Sequence, residues 1–184
     1  MITILEKFNL NVFRWINDLA GHNVWLDKFM IFAADNMGYL LVASVFILFW
    51  KKDYFKKVAF VSLGSAIVAR LVFVSIFRYF IYSPRPFLVL EHVNVLMNHE
   101  VESSFPSGHA SFYFALATGV YLYNKKAGWV YFALAGLLGF ARIFVSVHWP
   151  LDILAGAVLG VVTAVLVNYL VNRLKQKMPL KALL

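Results

Sequence analysis

The chain has 184 residues, no cysteine and a formal net charge of +8 at pH 7. Hydrophobic residues make up 62% of it and the mean hydropathy is +0.75, which is too apolar for a water-soluble domain of this size and indicates an integral membrane protein. The lack of cysteine excludes disulfides, thiolate metal sites and cysteine nucleophiles. We expect a single membrane-embedded domain over residues 1–184. No cleavable signal peptide is expected, because the N-terminal segment has no uninterrupted apolar core or small-residue cleavage site.

Residues 2–20 are predicted to form an amphipathic helix that lies at the membrane interface. The apolar side chains of this segment recur at helical spacing, and its charged side chains fall outside that stripe. The segment is too polar to cross a bilayer, and Trp15 and Trp25 suit the level of the lipid headgroups.

Five membrane crossings are predicted after this helix, each close to the about 20 residues that a bilayer core requires. They span residues 26–50, 55–81, 108–123, 129–145 and 150–171. A polar loop at 82–106 separates the second crossing from the third, which is the shortest. The predicted fold class is an all-α integral membrane protein, with five transmembrane helices in a core over 26–172 and an N-terminal interfacial amphipathic helix.

The basic residues predict which side of the membrane each loop faces. Ten of the 17 Lys and Arg residues lie in the loop after the first crossing, in the loop after the third, and in a basic tail at 173–184. These segments share one side, which the positive-inside rule assigns to the cytoplasm, together with the C-terminus. Topology thus accounts for much of the net charge, and no nucleic-acid partner is expected.

Three clusters of polar residues share one feature: each lies at the extracytoplasmic end of a predicted crossing. They are Arg78-x6-Arg85-Pro86, Pro106-Ser107-Gly108-His109 and Arg142-x5-His148-x3-Asp152. In the second cluster Ser107 can cap the helix that follows, whose unpaired N–H groups favour an anion. In the third, Asp152 follows His148 by about one helical turn, so that its carboxylate can reach the imidazole.

Each cluster taken alone has a structural explanation. A single arginine near the interface can snorkel or bind a lipid headgroup, Ser107 can cap an ordinary helix, and His148 with Asp152 can be a hydrogen bond at a helix start. Taken together, three guanidiniums and two histidines on one face favour a bound phosphate. The planar fork of arginine suits phosphate oxygens, and proteins catalyse phosphoryl transfer by neutralising the charge on those oxygens.

In order and spacing, the three clusters resemble the three-part signature of the type-2 phosphatidic acid phosphatase superfamily. The resemblance implies a six-helix phosphatase-type bundle in which residues 2–20 take the place of the first membrane helix. Two positions depart from the usual pattern, which has lysine where this chain has Arg78 and serine where it has Ala141. Arg78 keeps the charge, whereas Ala141 lacks a hydroxyl that would contact the phosphate.

The resemblance also implies the catalytic roles. His148 would be the nucleophile that forms a phosphohistidine, with Asp152 holding one ring nitrogen protonated. His109 would protonate the leaving oxygen and then act as the base for the attacking water. The implied phosphate-binding residues are Arg78, Arg85, Ser107, Gly108 and Arg142.

We expect neither a metal nor a cofactor, because no carboxylate cluster with metal-ligand spacing lies near these clusters. Four residues of the polar loop, His92, His99, Glu100 and Glu102, have the chemistry of metal ligands. Loop solvation is the favoured interpretation for them, and headgroup recognition remains an alternative.

Two further charged residues lie deep in the predicted crossings. Asp35 in the first crossing and Arg70 in the second are each roughly 13–17 Å from the outer end, at 1.5 Å per residue. The hypothesis is a buried ion pair that braces the two helices and has no catalytic role.

The expected substrate is a lipid phosphate or diphosphate in the membrane. The chain is most similar to the bacterial undecaprenyl-diphosphate phosphatases of this superfamily, which recycle the carrier lipid for cell-wall synthesis in the inner membrane. Phosphatidic acid and phosphatidylglycerophosphate are alternative substrates, and a non-catalytic lipid transporter is the rival function. The five crossings argue against the soluble vanadate-dependent haloperoxidases, which share this type of site. No protein partner is predicted.

Overall fold

The computed structural model of the chain describes residues 3–52, 54–97 and 101–177, without the side chains at 175 and 177. Within these ranges the regular structure is entirely helical. The helices are α1 (Ile4–Asn17), α2 (Val24–Asp35), α3 (Met37–Phe49), α4 (Phe55–Val68), a π-helical turn (Ala69–Phe73), α5 (Val74–Phe80), α6 (Pro86–Val89), α7 (Gly108–Tyr123), α8 (Lys125–Phe144) and α9 (Pro150–Lys177). The predicted basic tail is described only as far as residue 177.

Helix α1 corresponds to the predicted amphipathic helix. Thr3 caps it in a reciprocal arrangement, in which Glu6 N donates to the Thr3 hydroxyl (3.2 Å) and Thr3 N donates to the Glu6 carboxylate (2.7 Å). Phe13 and Ile16 are buried, whereas Trp15 on the other face is exposed. One stripe of α1 therefore packs on the bundle and the opposite face remains open.

The first predicted crossing is not one straight helix. It consists of α2 and α3, which meet at Asn36 with a bend of 55°. Two side chains from other helices enter at this bend. Arg142 Nη1 donates to the carbonyl of Ala34 (3.3 Å), and the ring of Tyr113 fills the space beside Gly38, where a Cβ atom would overlap its hydroxyl. Such insertions are a recognised cause of helix breaks.

The second predicted crossing is a continuous run of 26 residues, Phe55–Phe80, with the π-helical turn near its middle. Two other helical segments, Lys125–Phe144 and Pro150–Leu174, are also long and apolar enough to cross a membrane, and α2 with α3 would make a fourth span. Helix α7, the predicted third crossing, has 16 residues, which is about 24 Å. The described chain is thus an all-helical membrane protein, and the count of five crossings remains a prediction.

Helix α7 is the centre of the bundle and packs against α4, α8 and α9. Glycines on α9 permit the closest of these contacts: a Cβ atom on Gly156 would lie 2.6 Å from Ser107 O, and one on Gly160 would lie 2.3 Å from Ser111 O. Small residues are the usual means of bringing membrane helices this close. The contact holds the start of α7 against the start of α9.

The predicted site residues and the lysine-rich loops lie at opposite ends of the bundle. At the lysine-rich end, Tyr54 stacks on Tyr123 with ring centroids 6.4 Å apart, and Tyr123 is hydrogen-bonded to Asn168 (3.2 Å). At the other end, Arg85 Nη1 donates to the carbonyl of Val147 (2.8 Å), which joins two of the three clusters. This separation agrees with the predicted topology.

We predict that Gly160→Ala destabilises the protein by about 1–3 kcal/mol, the usual effect of overpacking a tight contact. The added methyl group meets backbone atoms of α7 that cannot move independently. Gly136→Ala on α8 is the matched control, because a Cβ atom there has no heavy atom within 4 Å. Thermal unfolding in detergent, followed by tryptophan fluorescence, should show a lower melting temperature for Gly160→Ala alone. Equal melting temperatures would contradict the close packing.

Candidate active site

A cavity of about 340 Å³ lies at the end of the bundle opposite the lysine-rich loops. Six of the eight predicted site residues line it: Arg78, Arg85, Gly108, His109, Arg142 and His148. The other two, Ser107 and Asp152, are buried and contact this lining. The fold therefore brings together residues that are up to 74 positions apart in the chain.

The imidazole of His148 is held by Asp152. The Asp152 Oδ2 atom lies 3.3 Å from His148 Nδ1 and accepts a hydrogen bond from Trp149 N (2.9 Å). This contact forms because Pro150 begins α9 and so places Asp152 in the first turn of that helix, next to His148. A hydrogen on Nδ1 that points at this carboxylate leaves Nε2 with its lone pair, as a nucleophile requires.

Burial lowers the pKa of His148 well below its ordinary value, because an imidazolium would lose its hydration. The positive charges of Arg142 and Arg85 and the nearby His109 act in the same direction. His148 is therefore neutral at pH 7, the state in which a histidine can attack phosphorus.

Arg85 is buried, with 1% of its surface exposed. Its Nη1 donates to the Val147 carbonyl, whereas its Nε is buried and has no hydrogen-bond partner among the described residues. Burial lowers the pKa of Arg85, and Arg78 adds to the effect by charge repulsion. A buried donor of this kind needs an acceptor, and a phosphate oxygen is a suitable one.

The other two predicted arginines also use backbone carbonyls. Arg78 Nη2 donates to the carbonyl of Pro106 (3.3 Å), and Arg142 Nη1 donates to that of Ala34. The Nε atom of Arg78 is buried and unpaired within the part of the chain that the structure describes. Neutral carbonyls orient these guanidiniums without cancelling their charge, and among the described residues that line the cavity Glu102, which pairs with Arg78, is the one acidic group. The guanidiniums outnumber it, so the cavity remains suited to an anion.

The start of α7 adds backbone groups to this site. Ser107 N donates to the carbonyl of Asp152 (3.1 Å), and the Ser107 hydroxyl caps α7 by accepting from Ala110 N (3.4 Å). A Cβ atom on Gly108 would stand 3.9 Å from Arg78 Nη2, an ordinary van der Waals distance, so the guanidinium lies directly beside the start of α7. The N–H groups in the first turn of α7 lie at the positive end of the helix dipole, which favours negative charge.

The predicted buried ion pair of Asp35 and Arg70 is wrong. Both side chains are exposed, and no salt bridge between them occurs among the described residues. The prediction assumed two straight helices. The bend at Asn36 and the π-helical turn change the direction of both crossings, so that the two side chains do not meet. Arg70 instead lines the cavity beside Gly108.

Glu102 also lies at the cavity, although loop solvation was the favoured interpretation for it. Its carboxylate forms a salt bridge with Arg78 Nη1 at 3.4 Å while much of the side chain stays exposed. His92 is an exposed loop residue, and His99 and Glu100 lie outside the described residues. Within the described ranges no three His, Asp or Glu side chains are grouped as metal ligands, and metal independence remains a prediction.

Comparison with known proteins identifies the family. The sequence model of the PAP2 superfamily matches residues 59–176, more than half of the chain. The chain belongs to the PAP2 superfamily. This match confirms the predicted family and, with it, a hydrolase of the phosphatase class.

Named relatives of this PAP2 protein span nearly its full length. The bacitracin transport permease protein BcrC of Bacillus licheniformis is 32% identical over 169 residues, which cover 92% of this chain and 83% of that one. The undecaprenyl-diphosphatase BcrC of Bacillus subtilis is 31% identical over 156 residues, with 84% and 79% covered. Among solved structures, LpxE of Aquifex aeolicus has a TM-score of 0.73 at 33% identity and covers 86% of this chain and 93% of its own.

We predict that the stability of this PAP2 protein falls as the pH drops below about 6.5, the ordinary pKa of histidine. The unfolded chain takes up a proton on residue 148 near that pH, whereas the folded protein resists it because the pKa of His148 is lowered. Melting temperatures should be compared between about pH 7.5 and about pH 5. The His148→Gln variant should lose less stability over this interval than the wild type, and an equal loss would refute a neutral, buried His148.

Proposed function

We propose that this PAP2 protein removes the terminal phosphate of a polyprenyl diphosphate, undecaprenyl diphosphate above all, through a phosphohistidine intermediate. It would thereby recycle the carrier lipid of cell-wall synthesis. The observation that carries the proposal is a buried, neutral histidine, held by a carboxylate, in a cavity lined by guanidiniums. The name of the Bacillus subtilis relative supports the choice of substrate.

In the first step, Nε2 of His148 attacks the terminal phosphorus and an N–P bond forms. The bond between that phosphorus and the bridging oxygen breaks, and the bridging oxygen keeps the electron pair. His109 donates a proton to this oxygen, and the lipid monophosphate leaves. Asp152 accepts the hydrogen bond from Nδ1 and balances the positive charge that the ring gains.

In the second step, His109 takes a proton from water, and the hydroxyl attacks the phosphohistidine. The N–P bond breaks, inorganic phosphate is released and His148 returns to its neutral form. Arg78, Arg85 and Arg142 neutralise the phosphoryl oxygens in both steps, in the way that guanidiniums accelerate phosphoryl transfer generally. The N–H groups at the start of α7 would assist them.

An apolar groove beside the cavity supports a lipid substrate. It has a volume of about 530 Å³ and runs between α5 and α9, with Phe77, Leu154 and Val158 in its walls. Pro106 joins the two spaces, since it lines the groove while its carbonyl binds Arg78. A tail in this groove would place a phosphate at the arginines without leaving the apolar phase.

We further propose five crossings with α1 at the interface, an extracytoplasmic active site and a cytoplasmic C-terminus, in the inner membrane of a bacterium. The separation of the lysine-rich loops from the cavity supports this orientation by the positive-inside rule. The open face of α1, with Trp15 exposed, suits the headgroup region.

A transporter is the second candidate, because the Bacillus licheniformis relative is named a transport permease. A pocket that only holds a headgroup needs cations but no polarised nucleophile. The buried contact between His148 and Asp152 therefore favours catalysis. Phosphatidic acid and phosphatidylglycerophosphate remain alternative substrates of the same chemistry.

The test of this function is phosphate release by the purified protein in detergent. We expect His148→Ala to lower kcat by at least about 10³-fold, as the loss of a nucleophile does in other hydrolases. We expect Asp152→Asn to lower it by about 10²-fold or more, because the ring loses its orientation. His22→Ala, which removes an exposed histidine from a turn, is the matched control and should keep wild-type activity.

The assay should be run on prenyl diphosphates, phosphatidic acid and phosphatidylglycerophosphate, each with a chelator present. Release by His148→Ala at the wild-type rate would refute the enzyme. A higher kcat/KM for either glycerolipid would refute the prenyl substrate, and loss of activity with the chelator would refute metal independence.

The proposed orientation predicts the outcome of cysteine labelling, for which the cysteine-free chain is well suited. Glu91→Cys in the long loop should react with a membrane-impermeant maleimide in intact cells. Lys52→Cys at the opposite end should react only after the membrane is permeabilised. Both side chains are exposed, so reactivity should report sidedness, and the reverse pattern would place the active site in the cytoplasm.

A further inference from the structure

A fourth arginine, Arg70, lines the cavity and has no counterpart in the three sequence clusters. A Cβ atom on Gly108 would stand 3.8 Å from its Cγ and 3.9 Å from its Nε, so the side chain passes directly over the start of α7. Arg78 reaches the same glycine from eight residues further along the crossing. The two guanidiniums therefore approach the cavity from different depths.

Arg70 is positioned by the π-helical turn. This turn, Ala69–Phe73, interrupts the run from α4 to α5 and widens the helix by one residue. Turns of this kind are frequent at functional sites. Here the widened turn carries an arginine at a depth in the membrane where a charged group has a large cost unless it meets a partner.

The surroundings of Arg70 differ from those of the other arginines. Arg85 and Arg142 are buried and donate to backbone carbonyls. Arg70 is exposed to the cavity and forms no hydrogen bond or salt bridge with any other described residue. Its donors are thus available to a ligand rather than committed to the fold.

Arg70 also lies next to the helix start that carries the proposed general acid. The Arg70 side chain lies beside Gly108, 3.8 Å from the position of a Cβ atom there, and Gly108 directly precedes His109, the residue proposed to protonate the leaving oxygen. An in-line displacement places the leaving group opposite the attacking atom. Arg70 is therefore on the side where the leaving group is expected.

We propose that Arg70 binds the phosphate that remains on the lipid, and that it thereby selects diphosphates over monophosphates. The inference rests on the proposed phosphatase function and assigns the substrate class of that site. When the bond to the terminal phosphorus breaks, the bridging oxygen keeps its electron pair and the lipid monophosphate gains negative charge. Arg70 neutralises that charge, whereas a monophosphate substrate has no group at this position.

The experiment compares two lipids with the same tail, farnesyl diphosphate and farnesyl monophosphate, in detergent micelles. For Arg70→Gln we expect kcat/KM on the diphosphate to fall by about 10- to 100-fold, the usual range for a lost charge-assisted hydrogen bond. On the monophosphate we expect a change of less than about 3-fold, because this substrate has no second phosphate for Arg70 to bind and the two effects are then independent. Arg70→Lys should restore part of the activity on the diphosphate because it restores the charge.

Arg173→Gln is the matched control, because this arginine is exposed at the far end of α9, where it packs on Tyr169. It should leave both activities unchanged. Equal losses on the two lipids with Arg70→Gln would mean that Arg70 binds the transferred phosphate or supports the fold. No loss on the diphosphate would mean that it binds neither phosphate. Either result would overturn the proposal.

Binding separates this proposal from the proposed function. The same two lipids should be titrated into His148→Ala protein, with and without Arg70→Gln, so that no turnover is needed. If the wild type hydrolyses neither lipid, the phosphatase function fails. A diphosphate preference in binding that Arg70→Gln abolishes still supports the role of Arg70, and a preference that survives the substitution overturns it.

Discussion

The structure depends on keeping positive charge in a place where water cannot stabilise it. Two fully buried guanidiniums, those of Arg85 and Arg142, lie near a buried histidine at one end of an apolar bundle. Burying several like charges is unfavourable unless an anion or well-placed acceptors compensate. A phosphate bound as proposed would offset this cost, so that binding and stability would be linked.

The packing of α7 against α9 supplies the geometry that this charge requires. Close contact at Gly156 places the carbonyl of Ser107 against α9, and Ser107 N binds the carbonyl of Asp152 in return. The helix start that favours an anion and the carboxylate that orients His148 are thereby fixed relative to each other. Small residues far from the chemistry thus determine distances within it.

Most residues of the candidate site could be predicted from the sequence, because each of the three spaced clusters contains residue types suited to phosphate chemistry. Helical periodicity and apolar length located the helices, and the charged ends of the crossings located the cavity. Proline and the N-cap residue marked the starts of α7 and α9, where local rules hold.

Two features could not be predicted from the sequence because tertiary contacts create them. At the bend at Asn36, side chains of α7 and α8 enter the first crossing. The sequence of residues 26–50 contains no sign of these two contacts. The π-helical turn adds one residue to a helical turn and so changes the direction in which Arg70 points. The helical periodicity of the sequence does not reveal such a turn. For this reason Arg70 was expected to pair with Asp35, and Glu102 was expected to be an ordinary loop residue.

Three of the four arginines that line the cavity are anchored on main-chain oxygens, those of Pro106, Ala34 and Val147. A carbonyl of this kind is present whatever side chain its residue carries, provided that the backbone keeps its path. The orientation of these arginines therefore does not depend on the side chains at the residues that accept their hydrogen bonds. A substitution at Ala34 or Val147 that keeps the backbone path would therefore still hold its arginine in the same orientation.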